Sequence, residues 1–374
     1  MKIGITCYPT YGGSGMVATE LGRSLARRGH KVHFITTALP YRLSEYVENI
    51  HFHEVQVFNY PLFDYVPYNL SLASKMAQVA LREDLDLLHV HYAIPHAASA
   101  YLAKKIVEPR KKLPVITTLH GTDITLVGTD PSYYDITKFS IEQSDAITAV
   151  SEYLKSQTMY RFAVEKKITV IPNFVDTGKF RTYDVKPVEC LHGPGEKILM
   201  HISNFRPVKR IQDIIAVFER VSEAVAARLV LVGNGPEMER VRNLVEEKGL
   251  DARVTFLGRQ DDVSQLLPCA DVYLLTSQYE SFGLTALEAM SCGVPVIGTS
   301  GSGMAEFLGD GSAGFLYPVG DIEGMVKGCL QILTNQELSL KMGAAGRKRA
   351  IEEYNENMIV DRYEALYRDI LEKQ

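Results

Sequence analysis

Short apolar runs alternate with helical patterns along most of the chain, the signature of parallel α/β layers. "KIGITCY" (2–8) reads as a strand, "MVATELGRSLARRG" (16–29) as a helix closed by Gly29, and "KVHFITT" (31–37) as the next strand. "LDLLHVHY" (85–92), "LPVITTLH" (113–120) and "AITAVS" (146–151) continue the strand set. Over 178–197 the pattern lapses into "GKFRTYDVKPVECLHGPGEK", polar and rich in Gly and Pro, which reads as an inter-domain linker. Alternation then restarts with strands at 197–203, 227–233, 253–258, 271–277 and 294–300, and helices opening near Ile211 and Pro236. The tail from about 335 to 374 is strongly helical. The expected architecture is two α/β domains of similar size, divided near residue 177. In such sheets ligands bind beyond the carboxyl ends of the strands, which makes a cleft between the domains the first place to look for chemistry.

Composition narrows the class. Of 374 residues, 46% are hydrophobic and 23% charged, ordinary for a globular protein. A net charge of -5 does not suggest a nucleic-acid partner. No apolar run approaches the roughly 18 residues that span a bilayer, and "MKIGITCYPTYGG" lacks a signal-peptide apolar core. "SLASKMAQVALRED" (71–84) is amphipathic but nearly charge-balanced, which argues against stable membrane association. Five cysteines lie far apart without a C-x-x-C pair, as in reduced thiols. The expectation is a cytoplasmic protein.

Three stretches carry candidate chemistry. In "YESFGLTALEAMSCGVPVI" (279–297), Glu280 precedes a helix that can open near Leu284 or Thr285 and must stop before Gly293 and Pro295. Acidic residues near a helix start are common because they complement its dipole. Here, however, the free N–H groups around Gly283 offer an anion site between two carboxylates, and Glu288 lies one turn in. Each carboxylate could take the hydroxyls of one sugar ring, the outline of a nucleoside diphosphate sugar. In "SNFRPVKR" (203–210), Arg206 and Lys209 lie three apart at a loop-to-helix junction and suit a diphosphate, although a solvated basic turn has the same pattern. "VGNGPEMER" (232–240) and "YGGSGMVATEL" (11–21) are strand-to-helix glycine turns. The second lacks the G-x-G-x-x-G spacing of a dinucleotide site, yet its small residues allow an anion to approach the backbone closely.

Histidines cluster in "HVHYAIPHA" (89–97) and "TTLHGTD" (117–123). His89 and His91 share a strand face, but no convincing third ligand accompanies them, so hydrogen-bonded histidines are the expectation and no metal site is read. His120, at a strand end, is the catalytic candidate, and Tyr92 and Thr118 could line the same pocket.

Together the Glu280-x7-Glu288 motif with its following "GVPVI", the "SNFRPVKR" turn, "GNGP" and the first glycine turn resemble retaining glycosyltransferases of family 4, over essentially the whole chain. The resemblance implies the GT-B fold: two Rossmann-like domains facing a deep cleft, 1–177 and 178–355, with the last helix (about 356–374) crossing back onto the N-terminal domain. It implies that Glu288 takes the ribose hydroxyls, Glu280 those of the donor sugar, and Arg206 and Lys209 the diphosphate. Gly13, Ser14, Gly15, Asn204, Gly233, Phe282, Gly283, Leu284 and Thr285 would complete the donor site. His120 would contact the donor sugar near the reacting carbon or act as a base. Within the family, "CYPTYGGSGMVATELG", "HVHYAIPHA" and "TTLHGTDITLVG" are similar to members that move GlcNAc from UDP-GlcNAc to L-malate, at the entry to bacillithiol biosynthesis. Ser14, Tyr92 and Thr118 lie on N-terminal segments expected to face the cleft and are placed by topology as acceptor contacts; the likeness implies no cofactor and no metal, and by analogy a homodimer. A family member with another acceptor, such as an inositol phosphate or a lipid-linked sugar, is one alternative. A UDP-GlcNAc 2-epimerase of the same architecture and a non-catalytic binding module are the others.

Overall fold

The computed structural model describes residues 1–9, 12–43, 45–58, 62, 66–183 and 195–373; most of the expected linker lies outside them. The chain divides into two compact units, Met1–Asn173 with Asn357–Gln374, and Phe174–Glu356.

Among the described residues, unit 1 is built on a seven-stranded sheet. Its strands are β1 (Lys2–Thr6), β2 (Lys31–Thr36), β3 (Ile50–Glu54), β4 (Leu87–His91), β5 (Val115–Leu119), β6 (Ala146–Ala149) and β7 (Ile168–Val170). They lie in the order β3-β2-β1-β4-β5-β6-β7, and every pair is parallel. Central strands covered on both faces read as continuous buried runs: all five residues of β4 and of β5 are buried. Edge strand β3, "IHFHE", has no buried residue.

Unit 2 repeats the plan with β8 (Lys197–Ser203), β9 (Ala227–Gly233), β10 (Val254–Gly258), β11 (Val272–Leu275), β12 (Val296–Thr299) and β13 (Gly314–Tyr317), ordered β10-β9-β8-β11-β12-β13. In each sheet the order in which strands are added therefore reverses beside the first strand, between β1 and β4 in unit 1 and between β8 and β11 in unit 2. Ligands of doubly wound sheets bind outside the carboxyl ends of the strands at this switch.

The expected strands are present, β8 and β9 with the expected bounds and the others shorter, while β3, β7 and β13 are additional. The first helix differs in a useful way: it opens at Gly13, not Met16, so the glycine turn is its first turn. The helical tail forms two helices, Gln336–Glu353 and Glu356–Glu372. The last helix, from Asn357 on, belongs to unit 1. Arg28 reaches Asp361 at 2.5 Å, His30 Nε2 lies 2.7 Å from Glu364, and Tyr367 is buried against His89 at 2.7 Å.

Candidate active site

In unit 2 the switch point brings two separate stretches together. Beyond β8 the chain runs through Asn204 and Phe205 to Arg206 and the turn Pro207–Lys209. Beyond β11 it passes Thr276, Ser277 and Gln278 to Glu280. The amide of Gln278 donates to the Val208 carbonyl (2.8 Å), and the Thr276 hydroxyl donates to the carbonyls of Lys209 and Arg210 (3.0 and 3.2 Å). With the two stretches stapled in this way, Lys209 Nζ lies 2.8 Å from Glu280 Oε2, and the Ser277 hydroxyl donates to the same oxygen at 3.2 Å. Arg206 is exposed beside them.

Glu280 leads into the helix Leu284–Ser291, capped by Gly283. Gly283 has φ +97°, and a Cβ there would stand 2.7 Å from Met304 Cγ, so both backbone and space demand glycine. The first amide to bond within the helix is Leu287, to Gly283 (3.1 Å), which leaves the N–H groups of Leu284, Thr285 and Ala286 without an intrahelical acceptor. Such a positive end can receive an anion. Glu288 sits one turn in and only 4% exposed. The Thr285 hydroxyl bonds the Tyr273 phenol, whose own proton burial holds far more tightly than usual.

Two expected donor contacts sit differently. The Phe282 ring is buried against Phe307 and Tyr354 (centroids 5.3 and 5.9 Å), so it anchors the helix start and leaves the backbone to meet a ligand. Gly233 has φ +126°, and a Cβ there would lie 1.8 Å from the Ser203 carbonyl oxygen. This close approach of the ends of β8 and β9 accounts for the glycine without any ligand. Asn204, between them, has a buried Oδ1 with no partner among the described residues.

In unit 1, Gly12 caps the helix Gly13–Arg27 in extended conformation, which presents the amides of Gly13, Ser14 and Gly15 at its positive end. The Ser14 side chain bonds the Tyr92 hydroxyl, as does that of Thr122. Tyr92, at φ +90° beyond β4, packs against Tyr8 and His120 (centroids 5.3 and 5.4 Å). Burial, with Asp123 adding to it, pushes the Tyr92 phenol up to about 12. His120 Nε2 lies 2.8 Å from His91 Nδ1, and His96 Nδ1 lies 2.5 Å from the His91 carbonyl oxygen. Burial lowers His120 to about 3 and His96 to about 4, and takes His91 well below the usual range; these imidazoles are neutral.

Thr118 does not line a surface. It is fully buried, and its hydroxyl sits between His89 Nε2 (2.7 Å) and the Thr148 hydroxyl (2.6 Å). Sequence reasoning passed over Asp123, which accepts the amides of Ala93 (2.8 Å) and Gly121 (3.0 Å) and so ties the loop after β5 to the one after β4. Burial raises its carboxyl to about 6 against the pull of those amides. The signal for it was an Asp in "HGTD" opening a helical turn, a position that suits capping of local N–H groups. Among the described residues no group of three His, Cys, Asp or Glu side chains is arranged to hold a metal ion.

Comparison with known families identifies the chain as a glycosyltransferase. Residues 11–179 match the Glycosyltransferase Family 4 model and residues 186–349 the model for glycosyl transferases group 1. The chain belongs to the family-4 glycosyltransferases of GT-B fold. It is 50% identical over 373 residues, 99% of this chain and 97% of the relative, to N-acetyl-alpha-D-glucosaminyl L-malate synthase of Bacillus anthracis. Two solved structures share the fold at full length. Sucrose-phosphate synthase from Thermosynechococcus elongatus has a TM-score of 0.85 at 21% identity and covers 100% of both chains. Anabaena HepE in complex with UDP and glucose has a TM-score of 0.84 at 19% identity, covering 98% of this chain and 99% of its own.

Proposed function

We propose that this glycosyltransferase moves N-acetylglucosamine from UDP-GlcNAc to the hydroxyl of L-malate with retention, giving N-acetyl-alpha-D-glucosaminyl L-malate and UDP, in the cytoplasm. The observation that carries the choice of acceptor is the 50% identity, over 99% of the chain, to a synthase of that product. Unit 2 takes the donor. Glu288 accepts hydrogen bonds from the ribose diol, Glu280 from the sugar hydroxyls, and the helix start at Gly283–Thr285 holds phosphate oxygens. Arg206 and Lys209 stabilise the charge that grows on the diphosphate as it leaves. Unit 1 takes malate, with a carboxylate on the amides of Gly13–Gly15 and the Ser14–Tyr92 pair beside it.

The malate oxygen bonds to the anomeric carbon on the face from which UDP departs. The carbon–oxygen bond to the β-phosphate breaks with its electron pair going to the phosphate, and a phosphate oxygen receives the hydroxyl proton. The two cations supply the electrostatic stabilisation, so no metal enters the scheme. The test is UDP release from UDP-GlcNAc with and without L-malate, followed by NMR of the product. Malate-dependent release with an α-linked glycoside supports the proposal; release with only another acceptor, or epimerised donor without one, overturns it.

A further inference from the structure

We infer that His91 sets the proton on His120: His91 Nδ1–H donates to His120 Nε2, so His120 presents Nδ1–H and serves the donor sugar as a hydrogen-bond donor, never as a base. The inference deepens the proposed transfer and rests on it only for the sugar contact.

His91 Nδ1 and His120 Nε2 are 2.8 Å apart, in rings inclined by 25°, the near-coplanar geometry of an N–H···N bond. Exactly one of the two nitrogens carries the hydrogen when both rings are neutral. His91 Nε2 is buried and without a partner among the described residues. Were His91 the acceptor, its single proton would sit on that Nε2 as a buried N–H with nothing to receive it, the costly arrangement. With His91 as donor, only a lone pair is left unpaired. His96 is fixed by the same logic: its Nδ1 lies 2.5 Å from the His91 carbonyl oxygen, which can only accept.

The assignment decides between the two roles open to His120. Its Nε2 is occupied by the His91 proton and its Nδ1 already bears one, so neither can take the proton of an attacking hydroxyl. A donor N–H at the sugar instead holds a hydroxyl oxygen, which accepts from it. His91 is thus a positioning residue, acting through His120.

The tautomers are read directly by long-range proton–nitrogen NMR on the full chain labelled with 15N-histidine, with His120 assigned by H120Q. The expected result is Nδ1–H on both His91 and His120; a proton on His120 Nε2 overturns the inference, and this needs no variant of His91 to fold. Kinetically, H91F is expected to lower kcat about tenfold or more, the worth of one hydrogen bond, with UDP affinity unchanged. H91N keeps an N–H donor near the place of Nδ1 and is expected to recover kcat to within about threefold of the native enzyme. Equal impairment of folded H91F and H91N would assign His91 to packing and overturn the positioning role. If the native chain shows these tautomers but transfers nothing to malate, the acceptor reading falls and the proton assignment stands.

Discussion

Lys209 Nζ and Glu280 Oε2, 71 residues apart in sequence, lie 2.8 Å apart at the switch point of unit 2. Both side chains are about four-fifths buried, with 20% and 17% of their surface exposed. Attraction is strengthened in such a setting and desolvation offsets much of it, so the pair contributes more to geometry than to stability. A phosphate taken up by the ammonium and a hydroxyl taken up by the carboxylate would be neighbours, as they are in a sugar nucleotide.

Arg206 and Lys209 should separate in stability while agreeing in activity. R206M removes an exposed side chain and is expected to change stability by less than about 0.5 kcal/mol. K209M strands Glu280 and is expected to cost about 1–2 kcal/mol, recovered when E280Q is added. Both single variants should lose about 100-fold or more in kcat, because each removes charge stabilisation from the leaving diphosphate. Chemical denaturation and steady-state kinetics on the same preparations check this; greater destabilisation by R206M than by K209M would contradict it.

Glu288 and Glu280 should divide the donor between them. E288A is expected to weaken UDP itself by about 10- to 100-fold, the worth of a charge-assisted hydrogen bond to a diol. E280A should leave UDP affinity within a few-fold and instead reduce the affinity for UDP-GlcNAc and its turnover. Calorimetric titration of both variants with UDP and with the sugar nucleotide decides; unchanged UDP affinity in E288A removes the ribose assignment.

Two glycines with opposite surroundings test whether the helix starts bind ligand. A Cβ on Gly13 would meet nothing within 4 Å, so G13A should stabilise the chain by up to about 1 kcal/mol yet weaken malate use if a carboxylate lies against that backbone. G283A forces φ +97° on an alanine and pushes Cβ towards Met304, so it should cost about 1–3 kcal/mol and weaken UDP binding together. Thermal melts with and without UDP or malate distinguish the two; unaltered malate kinetics in G13A would remove the first helix start from the acceptor site.

Acid should destabilise this protein well above the range where carboxylates titrate. Seven of its ten histidines are held below their ordinary value, chiefly by burial: His33, His53, His89, His91, His96, His120 and His201. Between the unfolded value near 6.5 and the folded values of about 3 to 4, the unfolded chain binds more protons. The stability they contribute is therefore complete above about pH 6.5 and declines as pH falls towards the folded values, by about 1.4 kcal/mol per pH unit for each extra proton. The melting temperature should fall steeply from pH 7 to 5. A flat profile over that interval would contradict the neutral, buried state of these rings.

How much was legible beforehand varies by element. Central strands such as β4 and β5 are buried on both faces and appear as unbroken apolar runs. Edge strands β3, β7 and β13 are short and carry exposed or half-buried residues, so their pattern is too weak to read. Thr118 shows the limit at a single residue. Its place at the end of a strand suggested a pocket wall, but whether its hydroxyl faces a ligand or His89 and Thr148 depends on strands β4 and β6 beside it.

The amino-acid sequence by itself determined the family, the strand–helix alternation, and the two glutamates that flank a helix start. The alternation and the glutamates rest on local spacing: a glycine that must cap, a proline that must stop a helix, a carboxylate one turn in; the family rests on the likeness of whole motifs to a known set. Only the tertiary structure decided that Lys209 meets Glu280, that Ser14 meets Tyr92, that Asp123 ties two loops and that His91 stands behind His120. Those contacts join residues 29 to 78 positions apart, or in the case of Asp123 about 30. They exist because strands distant in sequence lie side by side in one sheet, and no spacing along the chain encodes which side chains that neighbourhood brings within a hydrogen bond.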